Sequence, residues 1–392
     1  MDFQLTPCEE RLVVSQSRRS LFIGIPAEDS AEETRVPLTP QGVEILVAQG
    51  HRVVIQRSTG ASARFSDISY SSVGAEIEDS PERVFAADIV LKVSPPTPEQ
   101  AQLMHSGQTL VCLIGRNMRD KKAFAILAEK KVNVVAADAM TDGETTDPVL
   151  VRSLGEMEGM MAVTTAAHML EQSGGGKGVI IGGVTGVPPT EIVIVGADAA
   201  ALSAARVAMA FGSNVKVFDT MHSRLQRLEW QMPHHVFTSV LHPQALMKAL
   251  KSADVIICTR RVGSEQCFVI PSEYLATVKH DAVVVDLDIV AGGRTEVSRP
   301  TTLAEPVFRY GDLFIHSLPD ITSLAPHSAS IILSDIITPV ISTIAREGGV
   351  ERAARTDKSV ASAVAMFRGT VTSKQLARRS GLEYFDLRLL LI

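Results

Sequence analysis

Residues Glu191–Gly212 read EIVIVGADAAALSAARVAMAFG, and this stretch decides the fold. Glu191–Val195 is a β-branched apolar run of the kind found in strands buried on both faces. Gly196 follows at once, where the chain must turn tightly. A run of small helix-forming residues then continues to Ala210, and Gly212 stands just past it as a stop signal. The next apolar run, Val215–Phe218, closes on Asp219, 23 residues beyond Gly196. Strand, tight turn, helix and a later acid form the order of a dinucleotide-binding βαβ unit, where the acid meets the adenine ribose.

The turn departs from the G-x-G-x-x-G pattern at two places. Gly196 keeps the first glycine, Asp198 holds the second and Ala201 the third. Alanine at the third place affects only helix–strand packing. Asp198 matters more, because the second glycine lets the backbone approach a pyrophosphate at a helix N-terminus that favours anions. A carboxylate about 5 Å from a phosphate charge, at an effective dielectric near 20, costs roughly 3 kcal/mol. Aspartate is also a strong helix N-cap, and Asp198 is read as one. Asp219 is read as a strand-end acid that would favour NAD over NADP if a dinucleotide binds.

Outward from this unit the same alternation repeats. Leu21–Pro26, His51–Gln56, Ala87–Val93, Thr109–Ile114 and Val132–Ala137 read as strands separated by helical patterns. Thr39-Pro40 before Gln41–Ala48 reads as a capped helix with proline in its first turn. Val255–Cys258 and Ala282–Val285 continue the second unit. The expected fold is α/β, with two Rossmann-like doubly wound domains and a cleft between them. Two long helical patterns, Val151–Gln172 and Ser328–Arg346, end in glycine runs and flank the second unit. The chain is therefore expected to cross over and return. Residues 1–20 form an arm, 21–154 with 319–392 the first domain, and 155–318 the dinucleotide-type domain.

At 392 residues, two domains suit the length. A net charge of −6 without basic runs argues against nucleic acid as a partner. Four scattered cysteines (Cys8, Cys112, Cys258, Cys267) lack zinc or disulfide spacing, so no metal site is expected; Cys112 and Cys258 read as core. The opening residues carry Glu9, Glu10, Arg11, Arg18 and Arg19 and no apolar region. They read as a loose arm and not a secretory leader, and a cytoplasmic placement is expected. No apolar stretch is expected to reach the ~18–20 residues that span a bilayer.

Five segments carry a resemblance to a known family: Gly176–Pro189 (GKGVIIGGVTGVPP), Ile23–Pro40 (IGIPAEDSAEETRVPLTP), Ala87–Pro95 (ADIVLKVSP), Val285–Gly293 (VDLDIVAGG) and Thr295–Pro306 (TEVSRPTTLAEP). They resemble alanine dehydrogenases, in the same order, from about Phe22 to the end. The wider family includes the dinucleotide-binding α subunit of proton-translocating transhydrogenase. The resemblance implies a substrate domain and an NAD domain, L-alanine/pyruvate chemistry with NAD as cofactor, and a homo-oligomer, a hexamer as in alanine dehydrogenases. A small amino or keto acid would be the ligand.

Residue by residue, the resemblance places Arg35 on the family's carboxylate-binding arginine and Lys92 on its catalytic-site lysine. Their alternative readings are a surface arginine and a snorkelling edge-strand lysine. Gly196, Asp198, Ala201, Asp219, Leu287 and Asp320 fall on cofactor-side positions. Other family groups are replaced. The catalytic histidine aligns with Gly115, the second catalytic acid with Val290, the nicotinamide-side asparagine with Asp320, and a serine of the crossing helix with Gly155. Asp288, two residues before Val290, would share its face on an extended strand and is a possible substitute acid. Arg116 and Asn117 follow Gly115, but an arginine cannot accept the proton; His105 and His316 could approach the cleft, although a lone histidine is more often structural. Two readings follow: a non-catalytic member that keeps the family shell, or a divergent dehydrogenase with a rewired acid/base.

Overall fold

The computed structural model describes residues 20–29, 31–115, 121–142, 147–259 and 268–391. Most of the arm, together with Cys8, Arg116, Asn117 and Cys267, lies outside these residues. Two α/β domains are built on two sheets. The first sheet collects β1 (Phe22–Ile25), β2 (Arg52–Gln56), β3 (Glu76–Glu78), β4 (Ile89–Leu91), β5 (Thr109–Cys112) and β6 (Asn133–Ala136). The second collects β7 (Glu191–Val195), β8 (Asn214–Asp219), β9 (Phe237–Val240), β10 (Val255–Cys258), β11 (Val283–Asp286), β12 (Val307–Tyr310) and β13 (Leu313–His316). At the C-terminal end, β14 (Val364–Phe367) and β15 (Thr370–Val371) return to the first sheet.

The strand orders are β15-β14-β6-β5-β4-β1-β2-β3 and β12-β13-β11-β10-β7-β8-β9. Stripped of the antiparallel additions β14, β15 and β12, each sheet is a parallel 3-2-1-4-5-6 order, the doubly wound arrangement. In each, the direction of winding reverses between the first and fourth strands. β1 lies between β2 and β4, and β7 between β8 and β10. Crossover helices cover both faces of each parallel sheet, so its central strands are buried throughout. Cys112 and Cys258 are buried within them.

Two helices of 22 residues join the units. The first crossing helix, Val149–Leu170, packs against the loop helix Ala199–Ala210 that follows β7. The second, Pro326–Glu347, starts with Pro in its first turn and ends at Gly348 in the left-handed region. Its Ala329, Leu333, Ile337 and Ile341 join the core of the first sheet, with Ile23, Leu38, Leu46 and Ile55. This second helix corrects the expectation about apolar length, because it is long and apolar enough to cross a membrane. Its most apolar part is 56% buried inside the chain, so that apolar character serves the first core.

Candidate functional site

Open α/β sheets bind ligands beyond the carboxyl ends of their strands, at the switch point. In the first sheet those ends carry the loop 26–39 after β1, Lys92–Ser94 after β4 and Leu113 after β5. The second sheet brings Pro300–Leu303 and Leu318–Asp320 to the same place. Between them lies a cavity of about 340 Å³, lined by Glu33, Arg35, Val93, Ser94 and Leu113 from the first domain, by Thr301, Leu303 and Leu318 from the second, and by Asp320 where the chain returns to the first. Topology therefore explains why segments distant in sequence meet here.

Arg35 is 2% exposed. Its Nε and Nη2 donate to Oε1 and Oε2 of Glu33 at 2.7 and 2.6 Å. Its Nη1 donates to Oδ2 of Asp320 at 2.8 Å and to Oγ1 of Thr322 at 2.7 Å. Burial works against the guanidinium charge, but Asp320 and Glu33 outweigh it, and the net effect raises the pKa. Lys92 is also buried. Its Nζ donates to Oε2 of Glu28 at 2.8 Å, and Oε1 of Glu28 accepts from the backbone N–H of Val93 at 2.7 Å. Burial pushes the Glu28 carboxyl above its usual range, with the Lys92 charge opposing and that of Glu33 reinforcing. Both cations are thus paired within the chain, not lying at its surface.

Gly115 and Val290 do not line this cavity. The backbone N–H groups of Ile114 and Gly115 donate to Oδ1 and Oδ2 of Asp138 at 3.0 and 2.6 Å. A Cβ placed on Gly115 would stand 2.5 Å from Asp138 Oδ2 and 3.0 Å from Gln375 Nε2, so any side chain there must displace both. The expectation that Asp288 and Val290 share a strand face is corrected. β11 ends at Asp286, and Ile289–Ala291 is a 3₁₀ turn followed by left-handed Gly292 and Gly293. Alternation of sides therefore stops before Asp288. Asp286 organises this turn by accepting from the N–H of Asp288 at 3.0 Å and of Arg294 at 2.7 Å. Leu287 and Asp288 are buried within it.

His105 is also corrected. It is exposed in the turn leading into β5, at the amino end of a strand whose carboxyl end faces the cavity. His316 ends β13 on the cavity side. It is buried, its Nε2 has no partner among the described residues, and burial pushes its pKa down to about 4. Among the described residues, no three His, Cys, Asp or Glu side chains are grouped to hold a metal ion.

At the loop after β7, Gly196 has φ 120°, and a Cβ there would collide with Thr259 Oγ1 at 2.1 Å. Asp198 is the N-cap of the loop helix, its Oδ1 accepting from the N–H of Ala201 at 2.9 Å. Ala201 is buried against the sheet. Oδ1 of Asp219 accepts from its own chain at Met221 at 2.7 Å, with Arg224 at 4.0 Å. The first crossing helix lies close to this N-terminus: a Cβ on Gly155 would stand 3.5 Å from the Ala200 nitrogen.

Sequence reasoning passed over Glu28, Glu33, Asp138 and Thr322. The two glutamates had a usable signal, since a buried arginine or lysine demands a carboxylate and both lie within IPAEDSAEETRVP. Asp138 had none, because it holds backbone N–H groups more than 20 residues away, and nothing local tied Thr322 to Arg35, 287 residues distant.

The sequence profile of the alanine dehydrogenase/PNT N-terminal domain matches residues 24–157, and that of the C-terminal domain matches residues 162–374. The alanine dehydrogenase of Mycolicibacterium smegmatis is 31% identical over 368 residues, covering 93% of this chain and 98% of that protein. The alanine dehydrogenase of Bacillus subtilis is 30% identical over 366 residues, covering 93% and 96%. Among solved structures, an L-alanine dehydrogenase superimposes with a TM-score of 0.83 at 26% identity, covering 92% of this chain and 99% of that one. A transhydrogenase from Sinorhizobium meliloti shares the fold with a TM-score of 0.74 at 20% identity, covering 90% and 99%. Two doubly wound domains facing one cavity, and matches along nearly the whole chain, show that it belongs to the alanine dehydrogenase/PNT family.

Proposed function

We propose that this chain is a non-catalytic or weakly active member of its family, one that keeps the alanine dehydrogenase frame as a binding or regulatory protein. The observation that carries this reading is the Asp198 cap. A pyrophosphate at a helix N-terminus needs free N–H groups and a positive local field. Here the Ala201 N–H is already engaged by a carboxylate of the chain itself, so the loop does not fit a dinucleotide phosphate as it stands. Gly115 and Val290 supply no proton-transfer group, and acid/base groups typically contribute about 10²–10⁴-fold each. Within this reading, residues 21–154 with 319–392 form the ligand domain and 155–318 the nucleotide-type domain. The protein is a cytoplasmic homo-oligomer, hexameric as the resemblance implies.

The test is turnover by the full chain with L-alanine and NAD, or with pyruvate, ammonium and NADH, followed by nicotinamide absorbance. NAD-dependent thermal stabilisation is measured alongside. The expected result is negligible rate and no stabilisation, where a true binder gains about 2.7 kcal/mol at a hundredfold excess over Kd. Turnover at an ordinary ~1–10³ per second overturns it. One observation favours the second reading, an active enzyme with a rewired acid/base. Asp138 places a carboxylate in the space that a side chain on Gly115 would take, in addition to the buried Asp288.

A further inference from the structure

The cavity between the domains contains an arginine of the kind that holds carboxylates, and its hydrogen bonds can be counted. A guanidinium grips a carboxylate through two parallel N–H groups, along its Nε–Nη2 edge or its Nη1–Nη2 end. Glu33 takes the whole Nε–Nη2 edge of Arg35. Asp320 and Thr322 take both hydrogens of Nη1. One N–H on Nη2 is left, so neither face of the fork has a parallel pair to offer. Asp320 is itself held in place, because its Oδ1 accepts from the N–H of Thr322 at 3.2 Å and from Thr322 Oγ1 at 2.6 Å. Its Oδ2 is thereby aimed at Arg35. The three charges are all buried, and one cation faces two anions.

We propose that Asp320 is the specificity-determining residue of this cavity: its carboxylate occupies the place on Arg35 that a ligand's carboxylate would take, and so excludes small amino and keto acids. The inference rests on the non-catalytic reading and deepens it, since it concerns the ligand half of the same cleft and not the nucleotide loop. A second carboxylate brought to Arg35 would meet Asp320 at like charge in a buried site. At about 5 Å and an effective dielectric near 20 that repulsion alone amounts to roughly a hundredfold in affinity. Size is no obstacle, since about 340 Å³ exceeds what a three-carbon acid requires. The cavity therefore discriminates by charge.

The experiment is calorimetry of the full chain with oxamate, an unreactive isostere of pyruvate, with no nucleotide present. Wild type should give no measurable binding at millimolar oxamate. Asp320→Asn keeps the shape and removes the charge, and should bind oxamate about a hundredfold more tightly. The gain should vanish in Asp320→Asn/Arg35→Met and should be absent for lactamide, which has an amide in place of the carboxylate. Thr322→Val, which loosens the Asp320 carboxylate without removing it, should give a smaller gain and serves if Asp320→Asn folds poorly. Equal oxamate binding by wild type and variants, or binding that survives loss of Arg35, overturns the proposal. Alanine turnover by wild type would overturn both the non-catalytic reading and this exclusion, whereas NAD binding by wild type without turnover would count against the closed nucleotide loop alone and leave this inference standing if Asp320→Asn still tightens oxamate.

Discussion

The joint between the first crossing helix and the loop helix is built on one rule, and the cleft around Arg35 on another. In the joint, atoms are missing by necessity. A Cβ on Gly159 would stand 2.1 Å from the Ala200 carbonyl oxygen and 2.7 Å from the Ala204 nitrogen, and Ser203 Oγ donates to the Glu156 carbonyl at 2.6 Å. In the cleft, charges are cancelled by necessity. Arg35 closes on Glu33 and Asp320, and Lys92 on Glu28. Close packing of helices is a local property that glycine and alanine carry in the sequence. Pairing of buried charges depends on which segments meet in space, and it can change without disturbing the frame. The frame here keeps its family form.

The largest effect should come from breaking a charge pair. Arg35→Ala leaves Glu33 and Asp320 buried without their cation, a loss of about 3–5 kcal/mol, read as a lowered urea midpoint with unchanged slope. Lys92→Met should cost less, because burial already raises the pKa of Glu28 and that carboxyl can take up a proton. A carboxyl whose folded pKa is raised gives its stability in full below its unfolded pKa and loses it as pH rises through the folded value. The Lys92→Met deficit should therefore grow with rising pH through the acid range. Equal, pH-independent losses for the two variants would mean that the pairs are not held by charge.

His316 follows neither rule, being buried, polar and without a partner at Nε2 among the described residues. Its pKa is pushed down to about 4, against an ordinary histidine near 6.5. A base depressed in this way stabilises fully above its unfolded pKa, and that stability is lost as pH falls from about 6.5 towards 4. The most it can contribute is about 3 kcal/mol. His316→Leu should flatten the acid side of the stability curve over that window. A curve as steep as wild type would show that other groups dominate acid unfolding.

These contrasts explain what the sequence disclosed. β7 and β10 occur with the bounds their apolar runs imply, and both crossing helices lie within two residues of expectation at each end. Apolar runs and glycine stops are local signals. That the returning chain would add β14 and β15 to the first sheet was not legible, since pairing of β14 with β6 links residues more than 200 positions apart. The pairing of Arg35 with Asp320 was hidden for the same reason, although each residue could be named alone. The Asp288 turn was misread because Gly292 and Gly293 end the extended backbone in a way that VDLDIVAGG reveals only once their left-handed conformation is known.

Within the joint, the closeness rule makes an ordered prediction. Gly159→Ala forces a methyl against a backbone carbonyl that cannot move aside and should cost about 1–3 kcal/mol. Gly155→Ala meets nothing closer than the Ala199 Cβ at 3.2 Å and should cost less, offset by the better helix propensity of alanine. Thermal melts of the two single variants decide it. If Gly155→Ala is the worse of the two, the joint is not set by the Gly159 approach.

Asp198 belongs to the joint as the cap of its loop helix, and its effect on folding should be the smallest. It caps the loop helix by accepting from the Ala201 N–H, and it holds a negative charge where a phosphate would sit. Replacement by glycine should cost only a few tenths of a kcal/mol, whereas alanine, which cannot cap, should cost about 1 kcal/mol. The charge acts separately from the cap. Asp198→Asn keeps a capping oxygen and removes the charge, so it should leave the melting temperature near that of wild type while relieving roughly 3 kcal/mol of repulsion against a phosphate. Asp198→Gly removes both charge and bulk and should gain at least as much. Calorimetry with NADH on the three variants separates these causes. If asparagine and glycine both gain NADH affinity and alanine gains it at the expense of stability, the charge is what closes the loop. If none gains, the obstacle is the approach of the first crossing helix at Gly155 and Gly159, and the closeness rule governs the nucleotide loop as well.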